Sequence, residues 1–207
     1  IGYVLPLKAV PGAGDAVVHP RLAYPTYDVG ARLAGADPVG SDSLTELGPR
    51  RVGMIWLNSP ANPHGRVLPV AHLAKVVAWA RERGAVVASD ECYLEFGWEA
   101  RPASVLDPEV NGGSLDGLLA VHSMSKRSNM AGYRAGFVAG DVALVGRLLE
   151  VRRHAGMMVP APVQAALAAA LLATVAIAAW ASAADPDDRV AHARILGGAA
   201  AAILTAN

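Results

Sequence analysis

The chain has 207 residues, of which 53% are hydrophobic, and this is enough for one domain with a substantial core. Its 18 basic residues balance its 18 acidic residues, so no excess of charge favours nucleic acid as a partner. The single cysteine, Cys92, excludes an internal disulfide, and the lack of a secretory signal pattern predicts a cytoplasmic protein.

Short runs rich in valine and isoleucine alternate with longer helical patterns, which is typical of β-α-β units around a parallel sheet. Strands are predicted at 16–19, 52–57, 86–89, 118–122 and 135–139. The three middle runs are mostly apolar rather than alternating, as expected for central strands that helices cover on both faces. The predicted fold class is therefore α/β with a mostly parallel sheet.

Helices are predicted at 27–33, 70–83 and 142–153. The second begins after Pro69 and ends at Gly84, and Asp141 is placed to cap the third. The segment 101–117, which contains prolines and a Gly-Gly turn, is predicted to be a surface loop.

The two ends of the chain differ from this pattern. The apolar start at Ile1, without a methionine, predicts a fragment that begins inside a larger fold. Residues 165–184 carry no charge and are rich in alanine. Because alanine is only weakly apolar, a buried or loosely packed helix is favoured over a membrane span. The last residues, 185–207, are predicted to be poorly ordered.

The segment from His122 to Phe137 holds a lysine, a serine and an arginine at spacings that suit one anionic aldehyde cofactor. Lys126 is the candidate nucleophile, since a partly desolvated amine near cationic groups reacts more readily. Ser123 and Arg134 are the candidate phosphate ligands, because a guanidinium binds phosphate through two hydrogen bonds. These residue types predict pyridoxal 5'-phosphate as the cofactor, and no metal site is predicted. A lone lysine without this context is usually a solvated charge.

Upstream residues supply the other groups that this cofactor needs. Asp90 follows an apolar strand and is the candidate partner of the pyridine nitrogen, although a strand-end acid is often only solvated. Tyr93 and Asn62 are candidate donors to the phenolic oxygen, with a packed ring and a turn residue as the structural alternatives. Tyr24 is the candidate ring that stacks on the cofactor, whereas Tyr27 faces the substrate, begins the helix or packs in the core.

Together these residues resemble the class I and II aminotransferases of the fold type I pyridoxal phosphate enzymes. The most specific element is Ser-x-Ser-Lys followed by Gly-x-Arg-x-Gly, here Ser123 to Gly136. The resemblance covers roughly residues 1–172. Within the family, the segments 22–27, 126–134 and 154–160 are most similar to the actinobacterial succinyldiaminopimelate aminotransferases of lysine biosynthesis.

The resemblance implies a three-layer α/β/α large domain, a homodimer as the ancestral assembly, and amino acid and 2-oxo acid substrates, with glutamate as amino donor and N-succinyl-2-amino-6-oxopimelate as acceptor. It implies a covalent bond between Lys126 and the cofactor aldehyde. The other cofactor-binding residues that it implies are Tyr24, Asn62, Asp90, Tyr93, Ser123 and Arg134.

Several departures from the family pattern lead to further expectations. His64 stands where the family usually has threonine, and Arg127 is left without a role. The residues 1–162 are expected to be a partial large domain, truncated at both ends, and 163–207 a divergent helical tail in place of the small domain. A frameshift in a GC-rich gene would explain the tail. The activity of such a fragment is in doubt, because the arginine that binds the substrate carboxylate has no match.

Two other functions share these features. A transcriptional regulator that senses the cofactor through an aminotransferase-like domain would carry a helix-turn-helix segment before Ile1. A lyase on the same fold would catalyse β-elimination or decarboxylation, and product analysis with glutamate and a keto acid would distinguish it.

Overall fold

The computed structural model describes residues 15–156 and 158–184. Within them six strands form one sheet in the order β2-β1-β3-β4-β5-β6, in which only β6 is antiparallel to its neighbour. The strands are β1 (Ala16–His19), β2 (Asp37–Gly40), β3 (Val52–Asn58), β4 (Val86–Asp90), β5 (Leu118–Ser123) and β6 (Gly136–Gly140). Every residue of β3 is buried, as its apolar composition predicts for a central strand.

Six α-helices accompany the sheet. They are α1 (Thr26–Leu33), α2 (Val70–Glu82), α3 (Pro108–Asn111), α4 (Met124–Arg127), α5 (Val142–Ala155) and α6 (Ala161–Ala184). The predicted cap of α5 is confirmed, because Asp141 accepts hydrogen bonds from the backbone N–H groups of Ala143 and Leu144. Gly84 adopts φ 65° just after α2, which explains why the helix ends there.

Helices cover both faces of the sheet, so the fold is the predicted α/β class with three layers. One apolar cluster places α2, through Leu73 and Val77, against the sheet. A second cluster on the opposite face packs Tyr27 of α1 and Leu144 of α5 against strand residues such as Met54. Apolar burial on two faces supplies the core that the composition predicts.

The structure adds elements that the sequence pattern did not predict. Strand β2 contains Pro38 and lies at the sheet edge, where a missing N–H donor is tolerated. The short helix α3 interrupts the segment 101–117, so the prediction of an irregular loop was incomplete there. The predicted strand at 135–139 is displaced by one residue and runs from Gly136 to Gly140.

Helix α6 crosses the proposed boundary at residue 162 and packs Leu167 against Met124 and Ala135. None of the helices in the described part of the chain combines the length and hydropathy that crossing a bilayer requires. The division into a large domain and a tail stays a prediction. The expectations for Ile1 and for 185–207 concern residues outside those that the structure describes.

Candidate cofactor site

One edge of the sheet gathers the predicted site residues. The parallel strands β1, β3, β4 and β5 all end at this edge, so the residues that follow them lie close together. Strand β6 runs the other way and therefore begins there, with Gly136 opposite Ser123. Asn58 pairs with Asp90 in the ladder between β3 and β4. Residues far apart in sequence thus lie at one edge of the sheet.

Asp90 is held at this edge by two donors. The Tyr27 hydroxyl donates to Oδ2 at 2.7 Å, and the Cys92 backbone N–H donates to Oδ1 at 3.1 Å. Tyr27 is only 2% exposed and its ring stacks on Trp56 with centroids 4.9 Å apart. Burial, and then the neighbouring Asp90, raise the pKa of the Tyr27 hydroxyl far above its ordinary value, so it stays a donor. The carboxylate is therefore fixed in orientation.

This role of Tyr27 was not predicted from the sequence. The residue does lie in the first turn of α1 and it does pack in the core, as two of the three alternatives held. Its polar atom, however, contacts Asp90 across 63 positions of sequence. The only signal in the sequence was a tyrosine close to a helix start, which does not identify a distant partner.

Asn58 is a second residue that sequence reasoning missed. It is 5% exposed, and its side-chain amide donates to the carbonyls of Asp90 at 3.0 Å and Pro60 at 3.3 Å. Its Oδ1 accepts from the backbone N–H of Asn62 at 2.7 Å. Asn58 therefore ties the loop that carries Asn62 to the end of β4. An asparagine that ends an apolar strand was the available signal.

The predicted donors to the phenolic oxygen flank this network. Asn62 and Tyr93 are both half-buried, and neither side chain makes a hydrogen bond with another residue in the described ranges. Tyr93 packs its ring edge against Phe96 at 6.0 Å. Tyr24 is 53% exposed and lies just before α1, next to the site edge. Its stacking on a cofactor stays a prediction.

Lys126 and the predicted phosphate ligands lie on the next strand connection. Lys126 is an exposed residue of α4, and its amine makes no ion pair or hydrogen bond with the residues that the structure describes. Ser123 caps α4 by accepting from the Ser125 backbone N–H at 3.1 Å, and its side chain also makes a hydrogen bond with Cys92. Arg134 adopts φ 54° and donates to the Ala131 carbonyl at 3.1 Å.

Arg127, unassigned from the sequence, forms an ion pair with Glu95 at 3.2 Å, and only 14% of its side chain is exposed.

Cys92 lies near both Asp90 and Ser123. Burial, and then Asp90, raise the pKa of its thiol well above the ordinary range, so the thiol stays protonated. A hydrogen bond with Ser123 acts in the opposite sense.

The donor set fits pyridoxal phosphate. A fixed carboxylate at Asp90 suits a protonated ring nitrogen, and the free amine of Lys126 suits the aldehyde. Ser123 and Arg134, on the adjoining connection, offer a hydroxyl and a guanidinium to a phosphate. The residues are thus placed for one aromatic, anionic cofactor with an aldehyde group.

A family model described as aminotransferase class I and II matches residues 7–184. The chain therefore belongs to the class I and II aminotransferases, whose members depend on pyridoxal phosphate. The fold agrees with this family, since solved aminotransferase structures share it.

Three relatives illustrate the similarity to known aminotransferases. The chain is 64% identical over 167 residues to the 4-dedimethylamino-4-oxo-anhydrotetracycline transaminase of Streptomyces rimosus, covering 81% of this chain and 46% of that protein. It is 65% identical over 160 residues to a probable aminotransferase of Mycobacterium tuberculosis, covering 77% and 38%. A solved structure from Thermus thermophilus, a probable N-succinyldiaminopimelate aminotransferase, has a TM-score of 0.67 at 27% identity and covers 73% and 43%. The chain spans less than half the length of these relatives.

Proposed function

We propose that this chain supplies the cofactor-binding part of a transaminase that moves an amino group from an amino acid such as glutamate to an oxo acid. The observation that supports this most directly is the pairing of a fixed carboxylate with a free amine. Asp90 is oriented by Tyr27 at 2.7 Å, and Lys126 lies unpaired, among the described residues, on the neighbouring connection. The same cofactor family includes lyases, but the matching relatives are named as transaminases.

Pyridoxal phosphate, when bound, supplies an electron sink for the substrate carbon. In this proposal Asp90 keeps the proton on the pyridine nitrogen, and Tyr27 keeps Asp90 in place. Lys126 Nζ holds the cofactor and, once released from it, accepts the proton from the substrate α-carbon and returns it during the transfer. Ser123 and Arg134 hold the phosphate so that the ring stays in register with Lys126.

For the amino acceptor we propose N-succinyl-2-amino-6-oxopimelate, on the basis of the segments 22–27, 126–134 and 154–160 and of the Thermus thermophilus neighbour. A second candidate is the 4-oxo group of an anhydrotetracycline, because the relative from Streptomyces rimosus is named for such a substrate. The whole protein is proposed to act as a cytoplasmic homodimer. Both acceptors carry a carbonyl group that transamination would convert to an amine.

The cofactor role of Lys126 is tested with the purified chain and added pyridoxal phosphate. We expect an absorbance band for the covalently held cofactor, and we expect Lys126→Ala to abolish it. Lys75→Ala, which removes an exposed lysine of α2, is the matched control and should keep the band. A band that persists unchanged in Lys126→Ala would remove this lysine from its role.

The reaction is tested by incubating the cofactor-loaded whole protein, of which this chain is proposed to supply the cofactor-binding part, with glutamate and each acceptor in turn. Formation of 2-oxoglutarate together with the aminated acceptor supports transamination and identifies the acceptor. Release of ammonia or carbon dioxide without an aminated product would indicate a lyase instead. Failure of both acceptors with the band intact would leave the cofactor role standing and reject the acceptor assignment.

A further inference from the structure

Two contacts between an acidic and a basic side chain join the segment after β4 to the end of β5 and to α4. Glu91 faces His122 at 3.3 Å, and Glu95 faces Arg127 at 3.2 Å. Each of these residues except Glu95 is a sequence neighbour of a predicted cofactor residue, which places the contacts directly behind the site. The sequence pattern alone predicts no function for any of the four.

The first pair is buried. The Glu91 side chain is 0% exposed, and carboxylates are rarely buried without partners because desolvation is costly. Its Oε1 accepts from the Val105 backbone N–H at 2.9 Å. Its Oε2 lies 3.3 Å from His122 Nε2 without hydrogen-bond geometry, and no hydrogen-bond donor reaches it among the described residues. The His122 ring in turn stacks on Phe137 with centroids 4.9 Å apart.

The contact between Glu91 and His122 lies just beyond the point where the ladder between β4 and β5 ends. The ladder between β4 and β5 ends where Asp90 pairs with Val121, and one further backbone bond joins Glu91 to Val121. Beyond that point β5 continues to Ser123 paired only with β6. No backbone ladder therefore fixes Ser123 relative to Asp90. The next links between the two connections are side-chain contacts, one between Glu91 and His122 and one between Cys92 and Ser123.

We propose that Glu91 and His122 are positioning residues for the cofactor site. Their contact holds the connection that carries Ser123 and Lys126 at a set distance from Asp90, so that phosphate, aldehyde and ring nitrogen meet their ligands together. The pair between Glu95 and Arg127 strengthens the same link nearer the surface. This inference rests on the pyridoxal phosphate site and is independent of the amino acceptor.

The test is a double-mutant cycle on the dissociation constant for pyridoxal phosphate in the full chain. Glu91→Gln keeps an acceptor for the Val105 N–H but removes the charge, and His122→Phe keeps the stacking on Phe137 but removes Nε2. Each change is expected to weaken cofactor binding by roughly tenfold, and the double variant should be no weaker than the worse single. His122→Gln, which loses both the imidazole and the stacking on Phe137, should weaken binding at least as much as His122→Phe.

A readout without cofactor separates positioning from general stability. In the cofactor-free Glu91→Gln and His122→Phe variants, hydrogen exchange should be faster than in the wild type in peptides covering 91–96 and 122–128, while β3 stays protected. Glu150→Gln, which breaks an exposed ion pair with Arg153 on α5, is the control and should change neither measurement.

Three results would overturn the proposal. The first is unchanged cofactor affinity in a folded His122→Phe variant. The second is a double variant whose loss is the product of the two single losses, which would mean that the residues act independently. The third is faster global unfolding, or faster exchange spread evenly over the sheet, which would indicate a purely structural role. If Glu91→Gln fails to fold, His122→Phe and His122→Gln alone decide the question.

Discussion

Replacing Tyr27 by phenylalanine tests the contact that orients Asp90. The change keeps the ring that stacks on Trp56 and removes only the hydroxyl that donates to Asp90 Oδ2 at 2.7 Å. A hydrogen bond to a charged group contributes on the order of 1.5–3 kcal/mol. Asp90 is partly exposed, so water can replace the lost donor, and we expect the lower end, about 1.5 kcal/mol, in the free energy of unfolding.

The assay is urea unfolding of the cofactor-free chain, followed by titration with pyridoxal phosphate. We expect Tyr27→Phe to lower the unfolding midpoint without changing the slope and to weaken cofactor binding, because Asp90 is free to turn away from the ring. Tyr133→Phe changes an exposed tyrosine, 52% accessible, and is the control. A Tyr27→Phe chain with wild-type stability and wild-type affinity would refute the claim that this hydroxyl orients Asp90.

The same tyrosine predicts a pH dependence. Burial, then Asp90, raises the pKa of Tyr27 above its ordinary 10.0, so the folded chain keeps a proton that the unfolded chain loses. This contribution is fully present below about pH 10 and is lost as the pH rises further. Unfolding measured between pH 9 and 11 should therefore show a steeper decline for the wild type than for Tyr27→Phe. Equal slopes would contradict the assigned burial.

Two other predictions concern Asp141 and Cys92. Asp141→Ala removes the cap of α5 and the acceptor of the Gly117 N–H at 2.9 Å, and should cost about 1–2 kcal/mol in urea unfolding, whereas Asp141→Asn should cost less. Despite some desolvation, three backbone hydrogen bonds hold the pKa of the Asp141 carboxyl below its usual range. Its contribution to the free energy of unfolding is therefore present above about pH 4 and is lost as the pH falls further. If the loss of stability below pH 4 were the same in Asp141→Ala as in the wild type, this assignment would be wrong. The Cys92 thiol, whose pKa is raised by burial and by Asp90, should react with iodoacetamide far more slowly than a free cysteine at pH 8, and rapid labelling of folded protein would contradict this.

Much of the fold follows from local patterns. Apolar runs without alternation predict the central strands, and β1 begins and ends at the predicted residues. Asp141 caps α5 as expected, because a cap depends on residues within one helical turn. The order of Asn62, Asp90, Lys126 and Arg134 along the chain predicts the cofactor, since each residue type has a distinct task in that chemistry.

Contacts between distant segments follow from tertiary structure alone. The reversed direction of β6 brings Arg134 to the edge that holds Asp90, and no local pattern encodes that direction. Tyr27 reaches Asp90, and Glu91 reaches His122, only because parallel strands end side by side. The residue types and their order thus determined the class of chemistry, while strand order and register decided which side chains support it. The physical reason is that a side chain's identity is local, whereas its partner depends on how the whole sheet pairs.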